Sequence, residues 1–101
     1  MIIHQREIPY SADYQTFFGA HVQAKAHLEK RFSEVSVELM YNLAGQRGIA
    51  TIQTRYPTLA DYERIDAEMD KDEKYVELLE TMIDASGDLP VDQFYRVIQD
   101  G

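Results

Sequence analysis

Three side chains in this sequence have an ordinary pKa suited to moving a proton near neutral pH: His4, His21 and His27. His21 is the first candidate. It shares an apolar stripe with Tyr14, Phe17, Phe18, Ala24, Leu28 and Phe32, at three- and four-residue steps, so its ring faces a core or a pocket. That position suits a general base. It equally suits a core histidine with a hydrogen-bond partner, or a haem ligand. His4 alternates with Arg6 in an extended run and is the second candidate for proton transfer. His27 falls with Ala20 and Arg31, on a side expected to be exposed. His21 and His27 are too far apart in sequence to share a metal from one helical turn. There is no HxH, HxxxH or HExxH pattern and no cysteine, so no metal site is expected.

Binding groups come from two further sets. Tyr14, Phe17, Phe18, Tyr41 and Tyr62 are placed to line an aromatic-ligand pocket between helices and sheet, and as core residues they would need no ligand. On the strands, Glu38, Asn42, Thr51, Gln53 and Arg55 fall on the face opposite the apolar one. His4, Arg6 and Arg96 join them if the first and last strands have that parity, which the mixed faces of those strands leave open. Such a set forms either a basic-leaning cavity for a carboxylate, phenolate or enolate, or cross-strand and intersubunit salt bridges. The sequence has no Ser/His/Asp arrangement and no GxGxxG; GQRG at 45–48 reads as a hairpin turn.

The elements that position these residues follow from periodicity. Met1–Ile8 is a β-type run. Pro9 and Ser11 punctuate it, with Ser11 expected to cap a helix through Phe32. Val35–Leu43 alternates with period two, and Ile49–Tyr56 does so again across a five-residue turn, which predicts a β-hairpin. Thr58 and Asp61 have capping-box spacing ahead of a second helix. Its stripe is interrupted at 70–73, where Asp70 and Glu73 have the spacing of a second cap. Val91–Gln99 is a last strand. The order is βαββαβ: one α+β domain over residues 1–101, a four-stranded antiparallel sheet with two helices on one face. Met40, Ile49 and either Phe94 or Tyr95 must then lie on the uncovered face, which predicts pairing with another copy.

Charge narrows the partners. The net charge is −8, and Asp61–Asp88 carries all of it, with eleven acids against three bases. A surface this acidic repels phosphate backbones, so no nucleic-acid partner is expected. Alternating around an apolar stripe, these acids read as a solvated helix face. No apolar run approaches the roughly 20 residues of a membrane span. Nothing at the start reads as a signal peptide. A cytoplasmic protein with no membrane partner is expected.

The segment Arg55–Met82, RYPTLADYERIDAEMDKDEKYVELLETM, and the element order resemble the dimeric α+β barrel (ferredoxin-like) superfamily, and most closely its NIPSNAP-like members. Tyr56, Leu59, Tyr62, Glu63, Asp70, Asp72 and Tyr75 carry the likeness. The resemblance implies that two sheets from two subunits face each other as a barrel. Many such proteins are cofactor-independent monooxygenases, cyclases or isomerases acting on aromatic or polyketide substrates; others bind haem. On this reading the chain is a homodimer that needs no cofactor and binds a small aromatic or acidic molecule. His21 and His4 are its candidate catalytic residues, and Tyr14, Phe17, Tyr41, Arg55, Tyr62 and Arg96 its candidate ligand-binding residues. The alternative is a non-catalytic dimeric protein with a packed barrel interface. An open cavity lined by His21 and tyrosines would distinguish the first.

Overall fold

The computed structural model describes residues 1–11, 13–45 and 48–98. The alternating segments form the strands β1 (Ile2–Pro9), β2 (Ser36–Tyr41), β3 (Ile49–Tyr56) and β4 (Val91–Arg96). They pair antiparallel in the order β2-β3-β1-β4. The first and last strands are therefore neighbours, with Ile2 opposite Arg96 and His4 opposite Phe94. The last strand ends before Gln99, which lies outside the described residues, as do Gln46 and Arg47 of the expected hairpin turn.

Because side chains alternate, pairing register assigns every strand residue to a face. Ile2, His4, Arg6 and Ile8 share one face with Val37, Leu39, Ala50, Ile52, Thr54, Tyr56, Asp92 and Phe94. The buried residues Ile2, Ile8, Val37, Ala50 and Tyr56 all belong to this face, which the helices cover. The other face carries Ile3, Gln5, Glu38, Met40, Ile49, Thr51, Gln53, Arg55, Gln93 and Tyr95. Tyr95, rather than Phe94, joins Met40 there.

The helices are α1 (Tyr14–Arg31), α2 (Leu59–Met69) and α3 (Glu73–Asp84). α1 buries Phe17, Ala20, His21, Ala24 and Leu28, while Tyr14 at its first position is exposed. Its N-cap is Asp13, without a side-chain cap. Ser11, expected in that role, instead donates its hydroxyl to the Ala85 carbonyl at 2.9 Å and accepts from the Asp13 amide. The hydroxyl oxygen accepts from an amide ahead of the helix rather than from one in its first turn, so it does not cap α1.

The expected second helix is two helices. Thr58 caps α2 by accepting from the Asp61 amide at 3.1 Å, and its hydroxyl donates to the Asp61 carboxylate. The run 70–72 contains no apolar residue to bury, and the helix stops. α3 restarts at Asp72, not Asp70: the Asp72 carboxylate accepts from the Tyr75 amide at 3.0 Å. The same carboxylate accepts from His27 Nε2 at 2.7 Å and Arg31 at 2.8 Å. His27 was expected in solvent; the restart of α3 supplies it with a partner that α1 alone does not reveal. Ile65, with Met69, packs on Leu28, Phe32 and Tyr56 to close the main core.

Candidate functional site

The helices do not seat fully on the sheet. Between them a cavity of about 400 Å³ remains, within the ordinary range for small-molecule sites. Its floor is β1, β3 and β4, with His4, Arg6, Thr54, Asp92 and Phe94. Its walls are α1, with His21, Lys25 and Leu28, and the α2–α3 pair, with Tyr62, Asp66, Met69 and Tyr75.

His21 sits in the α1 wall, 8% exposed. Its Nδ1 lies 2.8 Å from the Phe17 carbonyl oxygen. A carbonyl only accepts, so Nδ1 carries the proton and Nε2 of the neutral ring keeps its lone pair. Burial holds the pKa of His21 below its ordinary value; the Phe17 carbonyl opposes that shift and nearby Arg6 adds to it. The ring is thus a neutral acceptor with a fixed tautomer.

On the floor, Arg6 and His4 converge on Asp92. Arg6 Nε donates to Asp92 Oδ1 at 2.6 Å and Arg6 Nη2 to Oδ2 at 3.2 Å. His4 Nε2 lies 2.8 Å from Oδ1. Burial alone would raise the Asp92 carboxyl, but the hydrogen bonds from Arg6 and His4 outweigh it and hold the group below the usual carboxylate value. The His4 ring stacks on Phe94 at 4.6 Å, and Tyr62 meets the other part of this aromatic strip edge-on, 5.0 Å from Phe94.

The tyrosines are uncharged hydrogen-bonding groups. Burial raises the pKa of Tyr56 and Tyr75, and that of Tyr62 with help from Asp66. Asp66 is itself raised by desolvation and by Asp70 one turn away. Lys25 does not reach for a ligand: its Nζ donates to both Glu29 oxygens and to the Val37 carbonyl. No group of three or more potential metal ligands occurs among the described residues.

The cavity brings together His21, His4 and Tyr62. Four of the other expected ligand-binding residues stand elsewhere, Arg55 because of its sheet face and the rest because they stand at element ends. Arg55 lies on the uncovered face, donating to Glu38 at 2.7 Å. Tyr14 and Tyr41 are exposed, at the ends of their elements. Arg96 shares the face of His4 but ends its strand outside the cavity. Phe17 is fully buried in the core behind His21, with ring centroids 4.2 Å apart. Arg6, weighed with His4 and Arg96 in a set whose parity was open, lines the cavity, and so do Asp92 and Phe94, which were not singled out as site residues. One signal for Arg6 was present: Ile2 and Ile8 flank His4 and Arg6 on even positions, so all four share one face.

No protein-family model matches the chain, and no curated protein does. Solved structures do. A candidate antibiotic biosynthesis monooxygenase from Caulobacter crescentus superposes with a TM-score of 0.82 at 10% identity, covering 97% of this chain and 90% of that one. The chain has the ferredoxin-like fold of these proteins. A NIPSNAP domain protein of unassigned function from Burkholderia xenovorans gives 0.79 at 8% identity, covering 96% and 94%. A variant of SnoaB, a cofactor-independent oxygenase from Streptomyces nogalater, gives 0.75 at 9% identity, covering 98% and 94%. The βαββαβ order and the helices on one face agree with both antibiotic-biosynthesis-monooxygenase and NIPSNAP neighbours. No helix among the described residues is long and apolar enough to cross a membrane.

Proposed function

We propose that this chain is a cytoplasmic homodimer subunit whose helix–sheet cavity binds a small aromatic molecule bearing an acidic hydroxyl or enol, and takes a proton from it. The observation that carries the reading is His21: a neutral ring on the cavity wall, its Nδ1 fixed on the Phe17 carbonyl and its Nε2 left as the acceptor. The proton passes from the ligand to Nε2, and the resulting anion pairs with the imidazolium that this step creates. Tyr62, Phe94 and His4 pack on one another as an aromatic strip along the cavity, beside which an aromatic body fits. Proton abstraction of this kind opens the reactions of cofactor-independent monooxygenases and isomerases, and the printed description of the SnoaB neighbour is in keeping with it.

The bare sheet face supports the homodimer. There Gln53 donates to Gln5 at 2.7 Å and Arg55 to Glu38, while Met40 and Tyr95 stay exposed. Paired charges on that face also suit a non-catalytic packed dimer, but an open cavity lined by His21 and tyrosines has no part in such a protein. NMR titration with 1-naphthol tests the reading. Chemical-shift changes centred on His4, His21 and Tyr62, lost in His21→Gln, are expected; changes scattered over the surface, or none, would overturn it.

A further inference from the structure

We propose that Asp92 sets the charge class of the ligand: by occupying the Arg6 guanidinium, it makes the cavity select uncharged phenols and enols over carboxylates. The inference rests on the reading of the cavity as a ligand site and adds what that site rejects.

A guanidinium binds a carboxylate best through two parallel N–H donors. On Arg6, the Nε and Nη2 donors that form such a fork already point at the two oxygens of Asp92, at 2.6 and 3.2 Å. His4, the other basic group on the floor, is bound to the same carboxylate. The third basic group at the cavity, Lys25, is held by Glu29. Each of these three therefore faces a carboxylate of the chain, and Asp66 and Asp70 add two more acids to the α2 wall. To reach that fork an incoming carboxylate would have to displace Asp92 from Arg6, leaving Asp92 with His4 alone in a cavity that Asp66 and Asp70 also line, a repulsive arrangement of the kind that discriminates between ligands. An uncharged hydroxyl displaces nothing, and it becomes charged only when His21 takes its proton.

Asp92 is well placed to be changed alone. It comes from β4, an edge strand whose residues are all exposed, and asparagine matches its shape. Calorimetric titration of the wild-type chain and of Asp92→Asn is the test, with 1-naphthol as the uncharged probe and 1-naphthoate as the ionised one. Naphthol affinity serves as the reference in each protein. Naphthoate should bind Asp92→Asn about tenfold more tightly than the wild type, the scale of one freed charge-assisted bond at a partly solvated site. Arg6→Gln combined with Asp92→Asn should abolish that gain.

If naphthol binds both proteins and naphthoate shows no gain in Asp92→Asn, the role of Asp92 is overturned while the cavity reading stands. If neither compound binds either protein, the cavity reading fails and the inference with it. Should Asp92→Asn lose the wild-type circular dichroism spectrum, Asp92→Ser supplies the same readout.

Discussion

The Nδ1 atom of His21 lies 2.8 Å from the carbonyl oxygen of Phe17, four residues earlier on the same helix. That contact fixes the proton on one side of the ring and the lone pair on the other. It also makes His21 a pH-sensitive element of the fold. The folded-state pKa lies below the ordinary value, chiefly through burial. The stabilisation is therefore complete above about pH 6.5 and falls as pH drops, because the unfolded chain takes up the proton first. His21→Gln should change stability by about 1–2 kcal/mol at neutral pH and flatten the stability profile just below pH 6.5. Urea unfolding at several pH values measures both, and an unaltered profile would remove the buried-imidazole account.

Asp72 gives the opposite end of the pH scale. His27 holds its carboxyl far below the ordinary value, helped by the Tyr75 amide and by Arg31. With a depressed folded pKa, its contribution is fully present above about pH 4 and is lost as pH falls further. Asp72→Asn should retain much of the cap but lose part of the stability change between about pH 4 and pH 2. Acid titration followed by circular dichroism checks this; identical acid transitions in both proteins would contradict it.

The uncovered sheet face should make the protein a dimer at micromolar concentration. Met40 and Tyr95 are 37% and 45% exposed in the single chain. An obligate interface over such a face buries about 2,000 Å² or more in total. Light scattering should give twice the chain mass of 11.7 kDa, and Met40→Lys should lower it. A wild-type mass of 11.7 kDa would be decisive against the dimer.

The outer acids of α2 and α3 should be energetically quiet. Glu68, Glu77 and Glu80 are exposed, and the contact of Glu68 with Arg31 is long, at 3.6 Å. Replacing each by glutamine should change stability by no more than roughly 0.5 kcal/mol. A loss of several kcal/mol at any one of them would show that this face does more than stay wet.

Much of the fold was legible because it depends on local alternation and punctuation. Ile49–Tyr56 could be read as a strand to its last residue, and Thr58 with Asp61 announced the start of α2. The site was legible only where one residue's phase was enough, as at His21. His4 shows the limit. It alternates regularly with Arg6, but a strand with Ile2 and Ile3 on opposite faces does not say which one is inward. Only pairing with β3 and β4 decides it. Asp92 was hidden for the same reason: nothing near it in sequence refers to Arg6. His27 was misplaced because its partner, Asp72, caps a helix start that the spacing of Asp70 and Glu73 placed two residues earlier.

The pairing of β1 with β4 has a consequence for how the protein comes into being. His4 and Asp92 are 88 residues apart in sequence, yet they form one cavity floor. Contacts of such separation carry a large loop-closure entropy and slow folding relative to the local β2–β3 hairpin. During synthesis, α1, β1 and the hairpin can assemble while the β4 side of the floor is still absent, leaving His21 over an open groove. The cavity is thus completed only once residue 92 has emerged and β4 has docked. Occupancy by ligand would then report on the docking of β4.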